Sequence, residues 1–336
     1  MISGTVRRPR RRVSWLSLVA VVALAVGASA CGSAAPTPSL VASASAAGGY
    51  PGWPVTGAIL GDPDFVPFLI SSETVVGPNR LLVTVADSTQ ALIAAPDLPV
   101  DLRFFDLAAN PDAPVAVVQG TFRWLVAETR GIYVASAGFS HAGDWGMEVV
   151  GHKSGGPEVR SRLVFSVTPT GHTPGLGTAA PPSDTLTASD RPGISLISTD
   201  ANPDPTFYTL SIRQAIAAGK PFVVVFASPL LCTSATCGPA LEMVKEISSA
   251  YAERVSFIHV EPYELHPAAG LHVGNTPLQP TLGPDGRPKV VAAVTEWGLP
   301  SEPYVFIVGS DGTISAKFEG VAYHDELVAA LDALFP

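Results

Sequence analysis

Apolar and polar residues alternate along much of the chain between residues 64 and 168. Leu81, Val83 and Val85, for example, occupy every second position of one segment. Alternation with a period of two is typical of β-strands that bury one face. Such segments are separated by turns rich in Gly, Pro, Asn and Asp, and they predict strands at residues 66–70, 80–86, 100–107, 115–126, 131–138, 145–151 and 160–168. About seven short strands in about 100 residues predict an all-β immunoglobulin-like sandwich.

The pattern changes in the last third of the chain, where apolar runs alternate with helical stripes. Residues 221–227 form a run of Phe and Val, and the segment 237–254 places Leu241, Val244 and Tyr251 on one helix face. The remaining predicted elements are helices at 210–218, 290–297 and 325–334, strands at 255–261, 304–308 and 313–318, and a long irregular stretch at 262–288. This order of elements predicts an α/β domain.

Composition divides the chain further. Residues 169–192 are rich in Pro and Gly and predict a linker between the two domains. About 290 ordered residues are too many for most single cores, which also favours two domains. The predicted organisation is a signal peptide at 1–30, a tether at 31–63, the sandwich at 64–168, the linker at 169–192 and the α/β domain at 193–336.

The N-terminus has the features of an export signal. Five arginines precede an apolar run at residues 13–27, and Ala-Ser-Ala follows at residues 28–30. Cys31 comes next, and this arrangement resembles the lipobox of bacterial lipoproteins, which implies that Cys31 is acylated. We therefore expect a lipid anchor at the extracytoplasmic face of the cell membrane. Ala-x-Ala also suits ordinary signal peptidase, so simple secretion is the alternative.

Charge limits the partners. The whole chain has 20 basic and 29 acidic residues, and the signal carries five of the basic ones and no acidic one. The mature chain is therefore strongly acidic, with a formal charge of −14. A basic surface is what binds nucleic acid, so we expect no nucleic-acid partner. The sequence leaves the oligomeric state open.

Two cysteines carry the candidate chemistry. Cys232 and Cys237 lie where the apolar strand runs into the helix that begins at residue 237. A thiol in the first turn of a helix meets the positive end of the helix dipole, which lowers its pKa and makes it nucleophilic. The position predicts Cys237 as the attacking thiolate, with Cys232 as the thiol that closes a disulfide with it.

The arrangement around these cysteines resembles the thioredoxin fold over residues 195–336, and it is similar in kind to membrane-tethered proteins of the TlpA type. Cys237-Gly238-Pro239 matches the start of the Cys-Gly-Pro-Cys motif, and Pro303, just before the strand at 304–308, matches the cis-proline that faces the active site. The resemblance implies thiol–disulfide exchange, without a cofactor, with exported partner proteins that contain cysteines. It also implies that Gly238, Pro239 and Pro303 shape the groove that receives them.

This chain departs from the thioredoxin pattern at the site itself. Ala240 occupies the position of the second cysteine of the motif, so the available pair is Cys-x4-Cys with Cys232. Thr236 replaces the usual Trp, and Val225 replaces the buried Asp that assists proton transfer. The resemblance therefore supports the fold more than it supports the activity.

Two other interpretations of the cysteine pair stay open. Exported proteins often carry structural disulfides, so the domain could be a non-catalytic binding module with a fixed Cys232–Cys237 bond. The pair also resembles Sco-type copper chaperones, which place two cysteines at this junction with a distant histidine. That resemblance implies a copper-binding assembly factor, in which the third ligand is one of His259, His266, His272 and His324.

Overall fold

The computed structural model describes residues 49–152, 155–267 and 278–335. The predicted signal peptide, Cys31, the first part of the tether and His272 lie outside these ranges. The described residues belong to one compact unit. None of the helices within them has the length and apolar character that a membrane crossing requires.

The elements follow the predicted order closely. The strands are β1 (Ile59–Gly61), β2 (Val66–Leu69), β3 (Gly77–Ala86), β4 (Val100–Asp106), β5 (Ala116–Val126), β6 (Arg130–Phe139), β7 (Gly143–His152), β8 (Glu158–Val167), β9 (Phe222–Phe226), β10 (Ser256–Val260), β11 (Leu265–Pro267), β12 (Leu278–Pro280), β13 (Tyr304–Val308) and β14 (Ile314–Glu319). The α-helices are α1 (Ile212–Ala218), α2 (Cys237–Tyr251), α3 (Ala292–Glu296) and α4 (His324–Asp332). Short 3-10 turns lie at Ile194–Leu196 and Pro205–Tyr208.

The first eight strands form one antiparallel sheet in the order β1-β8-β7-β4-β5-β6-β3-β2. The sheet curls until β2, at one edge, packs against β8 near the other edge, so it is nearly closed. Alternate side chains point inward and form a continuous apolar core that includes Phe104, Tyr133, Phe139 and Trp145. This inward set accounts for the period of two in the sequence.

The predicted fold class, an α/β thioredoxin-like domain preceded by an all-β immunoglobulin-like sandwich, is wrong. A sandwich needs two separate sheets packed face to face, whereas these strands belong to a single nearly closed sheet. Among the described residues, strands hold 37% and helices 16%, so this part of the chain is mainly β.

The physical reason for the single sheet is the long strand β5. Its first half, from Ala116 to Gly120, pairs with β4, and its second half, from Thr121 to Val126, pairs with β6. One strand therefore joins what would be two sheets. A Cβ atom at Gly120 would lie 2.8 Å from Val100 and 2.9 Å from Tyr133, so the crowded crossing point of β5 accepts only glycine without rearrangement.

A smaller mixed sheet holds the cysteines. Its order is β10-β9-β13-β14, with β9 and β10 parallel and the other pairs antiparallel. The central strand β9 is buried throughout, which explains its unbroken run of Phe and Val. One face packs against α2 and α4 through Val225, Leu241 and Leu327, and the other face buries Trp297.

The segment 169–192, predicted as a linker, makes regular contacts. The Ala180 backbone N–H donates to Gly312, and Gly177 and Thr178 hydrogen-bond with Ile314. Ser183 is buried, and its hydroxyl accepts a hydrogen bond from the Trp297 indole at 3.2 Å. The division into two domains at this segment stays a prediction.

An arginine connects the large sheet to the C-terminal helix. The Arg80 guanidinium makes two hydrogen bonds with the Glu326 carboxylate, at 2.7 and 2.8 Å. It also donates to the backbone carbonyls of Glu319 and Val321, both at 2.9 Å. Its side chain is only 12% exposed, so four hydrogen bonds compensate for the burial of this charge.

Candidate functional site

The two cysteines are brought together by the loop between β9 and α2. The strand ends at Phe226, and the Cys232 backbone N–H then bonds to the Ser228 carbonyl at 3.0 Å, which folds the loop back on itself. Ala235 takes a left-handed conformation, with φ of 61°, two residues before the helix begins at Cys237. This turn carries Cys232 to the beginning of α2, beside Cys237.

The two thiols differ in burial. The Cys237 side chain is fully buried, and it continues the stripe of Leu241 and Val244 that packs α2 against the sheet. Cys232 is partly exposed. Both are free thiols, and the two sulfur atoms and one carboxylate oxygen of Glu302 all lie within 4.8 Å of one another.

Cys232 is the acidic thiol of the pair. Its pKa is lowered to about 4, first by the Cys237 S–H, which donates to it, and then by the Ser234 hydroxyl and the backbone N–H groups of Cys237 and Thr236. The Ser234 Oγ lies 3.0 Å from the Cys232 sulfur. The N-terminus of α2 therefore supports a thiolate on the loop residue rather than on its own first residue.

The pKa of Cys237 is raised in turn. The main cause is its hydrogen bond to Cys232, since Cys237 must keep its proton to donate, and burial adds to the effect. The burial of the two thiols and the directions of their pKa shifts favour Cys232 as the thiolate, whereas the sequence predicted Cys237; which thiol attacks stays a prediction. The physical reason is that Cys237 belongs to the core-facing stripe of α2, so its sulfur points away from solvent.

The residues predicted to shape the groove lie around the pair. Gly238 follows Cys237 in the first turn of α2, and a Cβ atom there would meet open space. Pro239 is exposed, and Pro303 is buried directly before β13, at a cis Glu302–Pro303 peptide bond as the sequence predicted. Their role in binding a partner stays a prediction.

Glu302 lies beside the two cysteines, although the sequence predicted no role for it. Its carboxylate accepts a hydrogen bond from the Tyr263 hydroxyl at 2.9 Å. Burial raises the pKa of this carboxyl group, and the neighbouring Cys232 charge adds to that rise. The sequence signal was limited to its position before Pro303, which could not show the direction of the side chain.

A second buried carboxyl group lies at the end of β10. Glu261 is 6% exposed, and Thr199 donates to one of its oxygens from its backbone N–H at 2.9 Å and its hydroxyl at 2.7 Å. The other oxygen has no hydrogen-bond partner among the described residues. Burial raises the pKa of Glu261 to about 7. Glu261 and Tyr263 both line a cavity of about 320 Å³. Tyr263 therefore contacts both this cavity and Glu302, the carboxylate beside the cysteines.

The described histidines lie apart from the thiols. His259 is buried on β10, where its Nδ1 contacts the Tyr208 hydroxyl at 2.7 Å and its Nε2 the Ala227 carbonyl at 2.8 Å. Burial lowers its pKa to about 4, so it is neutral near pH 7. His266 lies on β11 and His324 begins α4. Within the described ranges, the group of potential metal ligands around the cysteines includes no histidine. The copper interpretation, with one of His259, His266, His272 and His324, stays a prediction.

In comparisons with known proteins, no family model, curated protein or solved structure matches this chain. The chemistry of the site therefore rests on its own residues.

Proposed function

We propose that the protein exchanges thiols and disulfides with exported partner proteins through Cys232 and Cys237. The observation that carries the proposal is the asymmetry of the pair, in which a partly exposed thiol, whose pKa is lowered by hydrogen bonds, lies beside a fully buried one. Thiol–disulfide exchange needs an accessible thiolate to attack and a second thiol to resolve the product. A pair with one member of each kind meets both requirements.

The proposed first step uses Cys232. Its thiolate attacks one sulfur of a partner disulfide, a mixed disulfide forms, and the other partner sulfur leaves as a thiolate. Cys237 then gives up its proton to the partner thiolate released in the first step and attacks the Cys232 sulfur, which releases the second partner sulfur as a thiolate. The partner gains two electrons, and the protein is left with a Cys232–Cys237 disulfide. The same steps in the reverse order oxidise the partner.

The surroundings of Cys232 suit a polypeptide partner. Leu230 lies two residues before Cys232 and is 62% exposed, and Pro239, two residues after Cys237, is also exposed. An exposed apolar side chain beside a reactive thiol gives a partner chain an apolar contact without hindering the sulfur.

We propose a location from the N-terminal sequence, which lies outside the described residues. Acylation of Cys31 would hold the protein at the extracytoplasmic face of the membrane, where partner proteins contain disulfides. Intact-mass analysis of the mature chain tests this, because an unmodified N-terminus would leave secretion as the alternative.

Trapping experiments test the activity. Cys237→Ser leaves Cys232 without a resolving thiol, so this variant should accumulate mixed disulfides with exported proteins, visible as reducible bands of higher mass. Cys232→Ser should trap none and should have no exchange activity. Assays with a model disulfide peptide should include EDTA, so that metal does not occupy the thiols.

Two other outcomes would contradict the proposal. Trapping by Cys232→Ser instead would show that Cys237 attacks, as the sequence alone predicted. If neither variant traps a partner and loss of either cysteine only lowers the melting temperature, the pair is a structural disulfide and the proposed exchange is wrong.

A further inference from the structure

Three potential metal ligands converge at the cysteine pair from separate parts of the chain. Cys232 comes from the loop after β9, Cys237 from the first residue of α2, and Glu302 from the residue before Pro303. Their ligand atoms, two sulfurs and one carboxylate oxygen, all lie within 4.8 Å of one another. Among the described residues, no other group of three or more His, Cys, Asp and Glu side chains has its ligand atoms this close together.

The spacing suits a tetrahedral ion. Zinc binds thiolate sulfur at about 2.3 Å and carboxylate oxygen at about 2.0–2.2 Å. Two ligands at these distances in a tetrahedron lie about 3.5–3.8 Å apart. The separations of the three donor atoms, all within 4.8 Å, therefore exceed those around a bound ion by at most about 1.3 Å, a difference that rotation of the side chains can supply.

The donor set selects among metals. Two thiolates with one carboxylate match the mixed sulfur and oxygen ligands that zinc accepts. Cu(I) prefers soft sulfur ligands, and a carboxylate is a hard ligand that it binds poorly. The side chain that lies beside the thiols is Glu302 rather than a described histidine, so the cluster favours zinc over copper.

The neighbours of the ligands resemble the outer shell of a metal site. Ligating carboxylates are usually held by a further hydrogen bond, which fixes their direction. The Tyr263 hydroxyl gives Glu302 such a bond at 2.9 Å, and the Ser234 hydroxyl lies 3.0 Å from the Cys232 sulfur. Cys232 and Glu302 are partly exposed, so an ion can reach the site from solvent.

We propose that the protein, when its cysteines are reduced, binds one Zn²⁺ ion through Cys232, Cys237 and Glu302. Binding places both sulfurs on the ion as thiolates and releases the proton that Cys237 carried. Since the same two sulfurs form the disulfide, the zinc-bound and the disulfide forms exclude each other. The proposal concerns the reduced protein alone and does not depend on exchange activity.

Cobalt substitution tests the site in the whole chain. The protein is reduced, freed of metal with EDTA and titrated with Co²⁺, whose thiolate complexes absorb strongly in the near ultraviolet, and Zn²⁺ is then added in competition. The wild type should show this band with one ion per chain and lose it to Zn²⁺. Cys232→Ser and Cys237→Ser should each abolish it.

Substitution of Glu302 distinguishes a site with a carboxylate ligand from one made of the two thiols alone. Glu302→Gln should weaken Zn²⁺ binding about tenfold or more, and Tyr263→Phe, which leaves the ligands in place, should weaken it about tenfold. Glu264→Gln is the matched control, because that carboxylate is partly exposed and pairs with Lys289 rather than with the thiols, and it should bind Zn²⁺ like the wild type. Thermal unfolding of each metal-free variant shows that it is folded.

The absence of a thiolate–cobalt band in the reduced wild type would overturn the proposal, and so would wild-type affinity in Glu302→Gln. Exchange activity is measured separately in EDTA. A protein that exchanges disulfides but binds no zinc refutes the metal site alone, and one that binds zinc but does not exchange refutes only the proposed function.

Discussion

Single residues decide how the two thiols differ in burial and in hydrogen bonding. Cys232 has its sulfur among hydrogen-bond donors, whereas Cys237 lies in the apolar stripe of α2. The sequence carried a signal for this difference, since Cys237, Leu241 and Val244 follow the spacing of a buried helix face. The loop geometry that brings Cys232 to the helix start depends on Ala235 at positive φ, and a sequence pattern does not reveal that conformation.

Ser234 should contribute to the acidity of Cys232. Hydrogen bonds to charged groups are worth about 1.5–3 kcal/mol, so Ser234→Ala should raise the Cys232 pKa by about one unit or more. The alkylation rate of Cys232 with iodoacetamide, followed from pH 3 to pH 9, measures this pKa. The wild-type rate should be nearly constant above pH 5 and fall through pH 4. Thr233→Ala, at an exposed neighbour, should leave the profile unchanged.

Glu261 should make stability depend on pH. The pKa of its carboxyl group is raised from 4.5 in the unfolded chain to about 7 in the folded protein. Between these two pH values the folded protein keeps a proton on Glu261 that the unfolded chain has lost. The contribution of this group to the free energy of unfolding is fully present below pH 4.5. It is lost as the pH rises through about 7, and the loss is about 3 kcal/mol. Glu261→Gln should therefore be more stable than the wild type at pH 8 but not at pH 4.5. Urea unfolding at both pH values measures the difference, and equal effects at both would contradict the account.

At the scale of elements, the sequence predicted nearly every strand and helix but not how the strands join. Alternation marks a strand with one buried face, and it is the same in a sandwich and in a closed sheet. What distinguishes them here is β5, whose two halves pair with different neighbours. Pairing partners far apart in sequence leave no local signal, so the sandwich prediction was wrong although the strands were right.

Gly120 should be required for this shared strand. The added methyl group of Gly120→Ala would lie within 3 Å of Val100 and Tyr133, and overpacking of a core costs about 1–3 kcal/mol. Gly138→Ala in β6 is the control, because its nearest neighbour would be 3.8 Å away. Denaturant unfolding should show a clear loss of stability for the first variant and little change for the second. Similar stability of both variants would mean that β5 has room at the crossing point.

At the scale of the whole molecule, the large sheet and the C-terminal helix are connected through Arg80. Removing one partner of a buried ion pair leaves the other charge uncompensated and costs about 3 kcal/mol or more. Arg80→Met should therefore lower the free energy of unfolding by about this amount, with Glu326 left without its partner. Arg287→Met removes an arginine that is 86% exposed and should have almost no effect. Chemical denaturation of both variants measures the difference, and a small effect at Arg80 would show that the pair adds little to stability.

The proposal that Cys232 and Cys237 exchange disulfides depends most directly on the reduction potential of the pair. It is measured by equilibrating the whole protein with dithiothreitol redox buffers containing EDTA and determining the fraction of the disulfide form by alkylation and mass analysis. Structural disulfides lie below about −300 mV, whereas catalytic pairs lie well above that value because their reduced form is stabilised. The hydrogen bonds to the Cys232 thiolate stabilise the reduced form, so we expect a potential clearly above −300 mV. A potential below −300 mV would contradict the proposed function and identify the pair as a structural disulfide.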